Sequence, residues 1–166
     1  RANVPFSAFY DNRALHTVDF GESITSIGSF AFQKCGALTS LEIPDSVTRI
    51  NGKSFAECEQ LETVIFGSGL TSFGGGAYNE PFRDCPNLRD AYFQGNAPSY
   101  SLVFEGPGAT ELTIHRLAVK TGWPEFGQPW AGYPTVEWLF GAVAAPTANR
   151  PGGAYATGSL SVSVEQ

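Results

Sequence analysis

The sequence predicts an α/β repeat solenoid, a superhelix of short parallel strands and short helical turns closed by a C-terminal cap. Three observations lead there. Apolar residues return with a fixed spacing of 23 over much of the chain. Each unit is too small to enclose its own apolar positions, so units must stack and bury them against one another. The composition, with 19 Gly, 11 Pro, 13 Phe and no Met, suits tight turns around an aromatic core and disfavours long helices.

The spacing is read directly. The set Leu38, Leu41, Ile43, Val47, Ile50, Phe55, Cys58 becomes Leu15, Val18, Phe20, Ile24, Ile27, Phe32, Cys35 one period earlier. One period later stand Leu61, Val64, Phe66, Leu70 and Phe73, and the register then slips by four. It resumes at Phe82, Cys85, Leu88, Ala91 and Phe93, the slip being absorbed by GGGAYNE, Gly74 to Glu80. At the front, Phe9 and Asn12 hold the Phe and Cys places.

The alternation Leu-x-Ile at the end of each unit is that of a half-buried strand. It places strands near 18–20, 41–43, 64–66 and 91–93, stacked in parallel at roughly 4.8 Å per coil. Second short extended stretches are expected at 24–27, 47–50 and 70–73. Segments such as SFAFQKC, with Ala, Glu, Lys and Phe after Gly or Ser, are expected as one or two helical turns. About four coils result, the first partial.

At 166 residues, 42% apolar and 16% charged, the chain can bury a core and is not disordered by composition. The formal charge of −6 sets it against a phosphate backbone, so nucleic acid is excluded as a natural partner. No apolar run approaches the ~20 residues of a membrane span. The pattern is already under way at Arg1, which predicts a longer protein upstream.

The three cysteines Cys35, Cys58 and Cys85 lack CxxC spacing and are odd in number. This excludes a disulfide scaffold and a zinc ribbon, and leaves at least one thiol free or paired with another chain. One period apart, they form an internal column with Asn12 on top. Cysteine fits such a column as a small apolar side chain with a weak donor, and this reading outweighs a metal or redox column because no histidine shares the register.

The unit Ser23 to Pro44, SITSIGSFAFQKCGALTSLEIP, resembles the BspA-type leucine-rich repeat of bacterial surface proteins. The resemblance covers roughly residues 4–93 and implies a leucine-rich-repeat superhelix. The following segment, through GWPEFGQPWAGYPTVEW, is similar to the unit that closes many such arrays. It departs at Pro124, after the Trp, and at His115-Arg116. Independently of family, a last coil needs a lid, and Trp123, Phe126, Trp130, Tyr133 and Trp138 are large enough to form one. An aromatic platform for sugar rings competes with that reading. The tail APTANRPGGAYATGSLSVSVEQ resembles the opening of a chitobiase C-terminal-type β-sandwich domain, cut short after one or two strands. Repeats at 1–93, a degenerate repeat and cap at 94–140 and a linker into a truncated β module at 141–166 are therefore expected.

No catalytic constellation is legible. The histidines His16 and His115 stand apart from any Gly-x-Ser-x-Gly, phosphate loop, His-Glu-x-x-His or calcium-binding array. Gly74-Gly75-Gly76 lacks the Lys-Ser/Thr of a phosphate cradle, and no cofactor is called for.

Binding is the better expectation, since stacked coils present wide surfaces. The outward strand column reads Asp19, Glu42, Ile65, Tyr92, ending at Thr113, and its neighbour reads Thr17, Ser40, Thr63, Asp90. One face thus runs from acidic to apolar, and an outward Ile beside a Tyr is the composition of a contact hot spot. The insertion around Tyr78 is a second candidate, because loops inserted into repeats often lie on a binding face.

The resemblance implies a non-enzymatic secreted or cell-surface bacterial module that binds a protein or glycan ligand in adhesion. The alternatives are a structural spacer displaying neighbouring domains and a glycan-targeting accessory module. Self-association through the exposed first coil or through the tail is also expected of an isolated fragment.

Overall fold

The computed structural model describes residues 2–74, 79–100, 102–106, 111–139 and 159–161, the last three as backbone only. The chain winds as a β-solenoid of about six turns. Two sheets run along it, parallel throughout except for one antiparallel pair at the cap. One joins β1 (Ala2–Val4), β3 (Ile24–Ile27), β5 (Arg49–Ile50) and β7 (Ser72–Phe73) in that order. The other contains β4 (Ser40–Ile43), β6 (Thr63–Phe66), β8 (Asp90–Phe93), β9 (Thr113–Arg116), β11 (Tyr133–Glu137) and the short β10 (Pro129–Trp130). A further strand, β2 (Thr17–Asp19), lies beside β4 but pairs with β12 (Ser159–Ser161).

Register follows the period read from the sequence. Ser40, Leu41, Glu42 and Ile43 lie opposite Thr63, Val64, Ile65 and Phe66, and these in turn opposite Asp90, Ala91, Tyr92 and Phe93. Equivalent residues therefore sit above one another, and side chains of one type pile into columns. Phe9, Phe32, Phe55 and Phe82 stack with ring centroids 5.0, 5.2 and 5.2 Å apart and planes within 15°. Rings at this separation are held by the coil spacing itself, and each gains offset-stacking energy beyond its burial. Leu15, Leu38, Leu61 and Leu88 form a second buried column.

A hydroxyl ladder runs beside the β1–β3–β5–β7 sheet. Both the backbone N–H and the Oγ of Thr48, Thr71 and Ser99 donate to the carbonyl of the equivalent residue one coil back, at 2.9–3.3 Å. Coils approach closely enough to restrict residue choice: a Cβ at Gly69 would stand 1.9 Å from the Asp45 carbonyl oxygen.

The expected helical turns are not there; among the described residues no helix forms. The segments after β1, β3, β5 and β7 are instead chained β-turns. In one, the N–H groups of Ala31, Gln33 and Cys35 bond three residues back, whereas those of Phe30, Phe32 and Lys34 bond forward to Gly52, Ser54 and Ala56 of the next coil. An α-helix would keep every donor to itself and leave the coils unlinked here. The alternation requires left-handed backbone at Ser7/Asp11, Phe30/Lys34, Lys53/Glu57 and Glu80/Asp84, with φ from 54° to 69°. Such residues cost roughly 1–2 kcal/mol each outside glycine. Intercoil hydrogen bonds at about 1 kcal/mol apiece and the phenylalanine column offset the strain.

The count of about four coils is also corrected. Phe104, Leu112 and Ile114 are buried in the Phe, Leu and inner-strand columns, and the repeat continues through β9 before the cap. This rung, expected only as a degenerate repeat within 94–140, is obscured by the four-residue slip and by the divergent sequence of residues 94–116. The GGGAYNE insertion lies partly outside the described residues, Tyr78 included, and so does most of the tail expected as a β module.

Two outcomes follow for stability. Phe55→Ala removes the central ring of the column, and chemical denaturation is expected to show a loss of about 3–5 kcal/mol, the range for a buried Phe. At Ser7, φ 54°, a Gly substitution should be neutral or stabilising by up to about 1 kcal/mol. Val at the same place should lower the thermal midpoint, because β-branched residues resist this conformation.

Candidate functional site

The cysteine column is built from the turn segments. Each thiol donates to the carbonyl of the column phenylalanine one coil earlier: Cys35 to Phe9 at 3.2 Å, Cys58 to Phe32 at 3.4 Å and Cys85 to Phe55 at 3.2 Å. All three are buried and free. Burial pushes the Cys35 thiol up to about 11 and Cys85 to about 12, and it pushes Cys58 up as well. Asn12, at the end of this column, is exposed rather than internal. Its Oδ1 accepts from the Ala14 N–H, and its backbone lies against the Cys35 thiol, so it closes the column without joining the core. Among the described residues no group of three or more His, Cys, Asp or Glu converges to hold a metal.

The outward face of the strands offers a different chemistry. Asp19 and Glu42 are exposed carboxylates, and Thr63, Ser40 and Thr17 beside them are half-buried. Tyr92 follows one rung on, its ring stacked on His115 at 4.2 Å and 13°. Trp138 meets the edge of the same pair, 5.1 Å from the Tyr92 ring. The His115 Nε2 lies 2.6 Å from Asp90 Oδ1, tying the second column to the first. Burial raises the Tyr92 hydroxyl above its ordinary value, with Asp90 adding to the effect.

Three expectations change here. Ile65 is in the outward column but only 3% exposed, so it is not an available contact residue. Trp138 is 6% exposed yet lies against Tyr92 on the outer face, away from the core it was expected to cover. The outward column continues to His115 and not to Thr113, which follows Asp90 in the neighbouring column; strand alternation alone could have added His115.

The cap divides its aromatics between two tasks. Trp123 and Trp130 pack on Phe93 at 5.0 and 5.2 Å and close the core, with Tyr133 against Phe104. Phe126 is 43% exposed and receives the Arg116 guanidinium over its ring at 3.7 Å. Arg116 stands where Phe20, Ile43, Phe66 and Phe93 stand in earlier rungs and is only 4% exposed. It donates to the Pro124 carbonyl, which with the cation–π contact compensates for a charge in the core column. Burial still pulls its guanidinium below the ordinary value.

Beside the cap an open groove of about 640 Å³ is lined by Ala97, Ser99, Tyr100, Trp123, Trp130 and three prolines. Its indoles are already engaged, Trp130 in the core and Trp123 Nε1 bonded to the Gly95 carbonyl at 3.2 Å.

The family model for the BspA-type leucine-rich repeat region matches residues 2–106 in 6 copies. The chain belongs to the BspA-type leucine-rich repeat family. Neither the curated proteins nor the solved structures gave a significant match. The BspA-type family is typical of bacterial surface proteins and generally of non-catalytic repeats. Among the described residues no helix is long and apolar enough to cross a membrane.

The thiol column yields a pH test. Unfolded, a thiol ionises near its ordinary 9.0, whereas folded Cys35 and Cys85 keep their protons to about 11 and 12. The folded state therefore binds more protons in that interval, and its stability is full below pH 9 and falls as pH rises through the window. Urea midpoints at pH 8 and pH 10.5 should show the decline, and Cys58→Ala/Cys85→Ala should flatten it. A thiol reagent at pH 8 should label the native chain only as it unfolds.

Proposed function

We propose that this chain is a non-catalytic module of a secreted or cell-surface bacterial protein and binds a protein partner through the outward strand face, in adhesion. The observation that supports this most is the composition of that face: exposed carboxylates at Asp19 and Glu42, then the Asp90–His115–Tyr92–Trp138 cluster. Rigid aromatic area next to carboxylates suits a partner with lysine or arginine beside apolar groups. The net charge of −6 favours the same partner at longer range.

A screen of the folded chain against matrix proteins and glycans tests this reading. Saturable binding to a basic protein is expected, weakening as salt rises. Tyr92→Ala and Asp19→Lys/Glu42→Lys should each reduce affinity at least tenfold, on the order of 1.4 kcal/mol or more. Glycan binding lost with Tyr100→Ala and untouched by the charge reversals would move the site to the cap groove and favour the glycan-targeting reading. No binding by a folded parent would favour a spacer that displays its neighbours.

A further inference from the structure

The aromatic end of the outward face holds an ionisable ring in contact with a carboxylate. His115 of β9 stacks on Tyr92 of β8, and its Nε2 lies 2.6 Å from Asp90 Oδ1. Both side chains meet solvent, His115 at 20% exposure and Asp90 at 39%. Among the described residues neither Asp90 Oδ2 nor His115 Nδ1 has a hydrogen-bond partner. The carboxylate therefore keeps one oxygen for an incoming cation.

Few other charges surround the ring. From β8 come Asp90 and the Tyr92 hydroxyl, which burial raises above its ordinary value, so that it stays protonated at neutral pH. From β11 the register partner of His115 is Val136, and the Trp138 indole packs on Tyr92; neither titrates. Glu137 lies opposite Arg116, whose guanidinium is on the inner side of the sheet against Phe126. At the strand starts Arg89 and Glu111 are paired with each other at 2.6 Å. Among the described residues the imidazole is the only ion-pair partner of Asp90.

A carboxylate only accepts, so the neutral imidazole carries its proton on Nε2 and leaves the negative charge of Asp90 on the face. Imidazoles gain a second proton between about pH 8 and pH 5. A protonated His115 neutralises Asp90 where it stands. A proton on His115 and a cation on a partner thus compete for one carboxylate, and by linkage each weakens the binding of the other. We propose that His115 makes the outward face a proton-gated contact, which holds a basic partner at neutral pH and releases it on mild acidification. The inference rests on the protein-binding reading given above and adds its regulation.

Calorimetric titration of the full chain with a peptide of alternating lysine and leucine, at about pH 8 and about pH 5.5 and at fixed salt, tests this. Lysines and ordinary carboxylates keep their charge across that interval, which leaves the histidines as the side chains that change. The parent is expected to lose affinity about fivefold or more between the two. In His115→Gln the amide can still donate to Asp90 but takes up no proton, and the ratio of the two affinities should fall to within about twofold of unity. His16, the other histidine, is exposed, and His16→Gln should keep the parent's ratio. Thermal unfolding at both pH values checks that each variant is folded. A parent ratio of one or below overturns the proposal, and so does an undiminished ratio in His115→Gln; in both cases the peptide still binds and the protein-binding reading stands. No binding of the peptide at either pH overturns that reading and this inference with it.

Discussion

Each coil of this protein completes only part of its own backbone hydrogen bonding, and the next coil supplies the rest. In the turn segments alternate N–H groups point along the stack, as Phe32 to Ser54 and Phe55 to Pro81 do at 2.7 and 2.8 Å. In both sheets the repeat strands pair in parallel with equivalents one coil away, and the antiparallel β10–β11 pair of the cap is the exception among the described residues. Buried backbone groups tolerate no vacancy, so the coil spacing and the register become a single requirement. The phenylalanine stack, the leucine column and the thiol–carbonyl contacts are consequences of it. Any residue type that recurs at the period is brought into contact with its own kind.

That requirement also explains where the pattern bends. At Arg116 a cation occupies the core column, and the chain answers with the Pro124 carbonyl and the Phe126 ring. In the adjoining inner column Thr135, bonded to the Gln128 and Glu125 carbonyls, follows Ile114 in place of a large apolar group. Trp123 and Trp130 then fill the space above Phe93. The end of the array is thus set by polar substitutions in the inner column as much as by the aromatic lid.

The outward face is free of this constraint, and its chemistry varies from rung to rung: Glu42, Ile65, Tyr92, His115 and Val136 share one column. A rigid ladder holds these side chains at fixed separations, so a partner meets a preorganised surface. The aromatic end is stiffened further, with Tyr92 held between His115 and Trp138 and His115 held by Asp90.

How much of this was legible in the chain depends on the range of the interaction concerned. The period of 23, the strand positions, the inner and outer columns and the cysteine stack all follow from the sequence, because a repeat that stacks must place like over like. The turn conformation did not follow from it. Ser7, Asp11, Phe30, Lys34, Lys53 and Glu57 carry none of the glycine or asparagine signature of left-handed backbone, and local propensity favoured helical turns. Their φ values answer to donors and acceptors in the neighbouring coil, which no local window contains. The same holds for Ile65, whose outward position was readable and whose burial was not, and for Trp138, which the fold turns onto Tyr92. The sequence by itself determined which residues stack, since stacking repeats with the chain; only the tertiary structure decided the turn geometry and which face residues meet solvent, since both depend on coils that are distant along it.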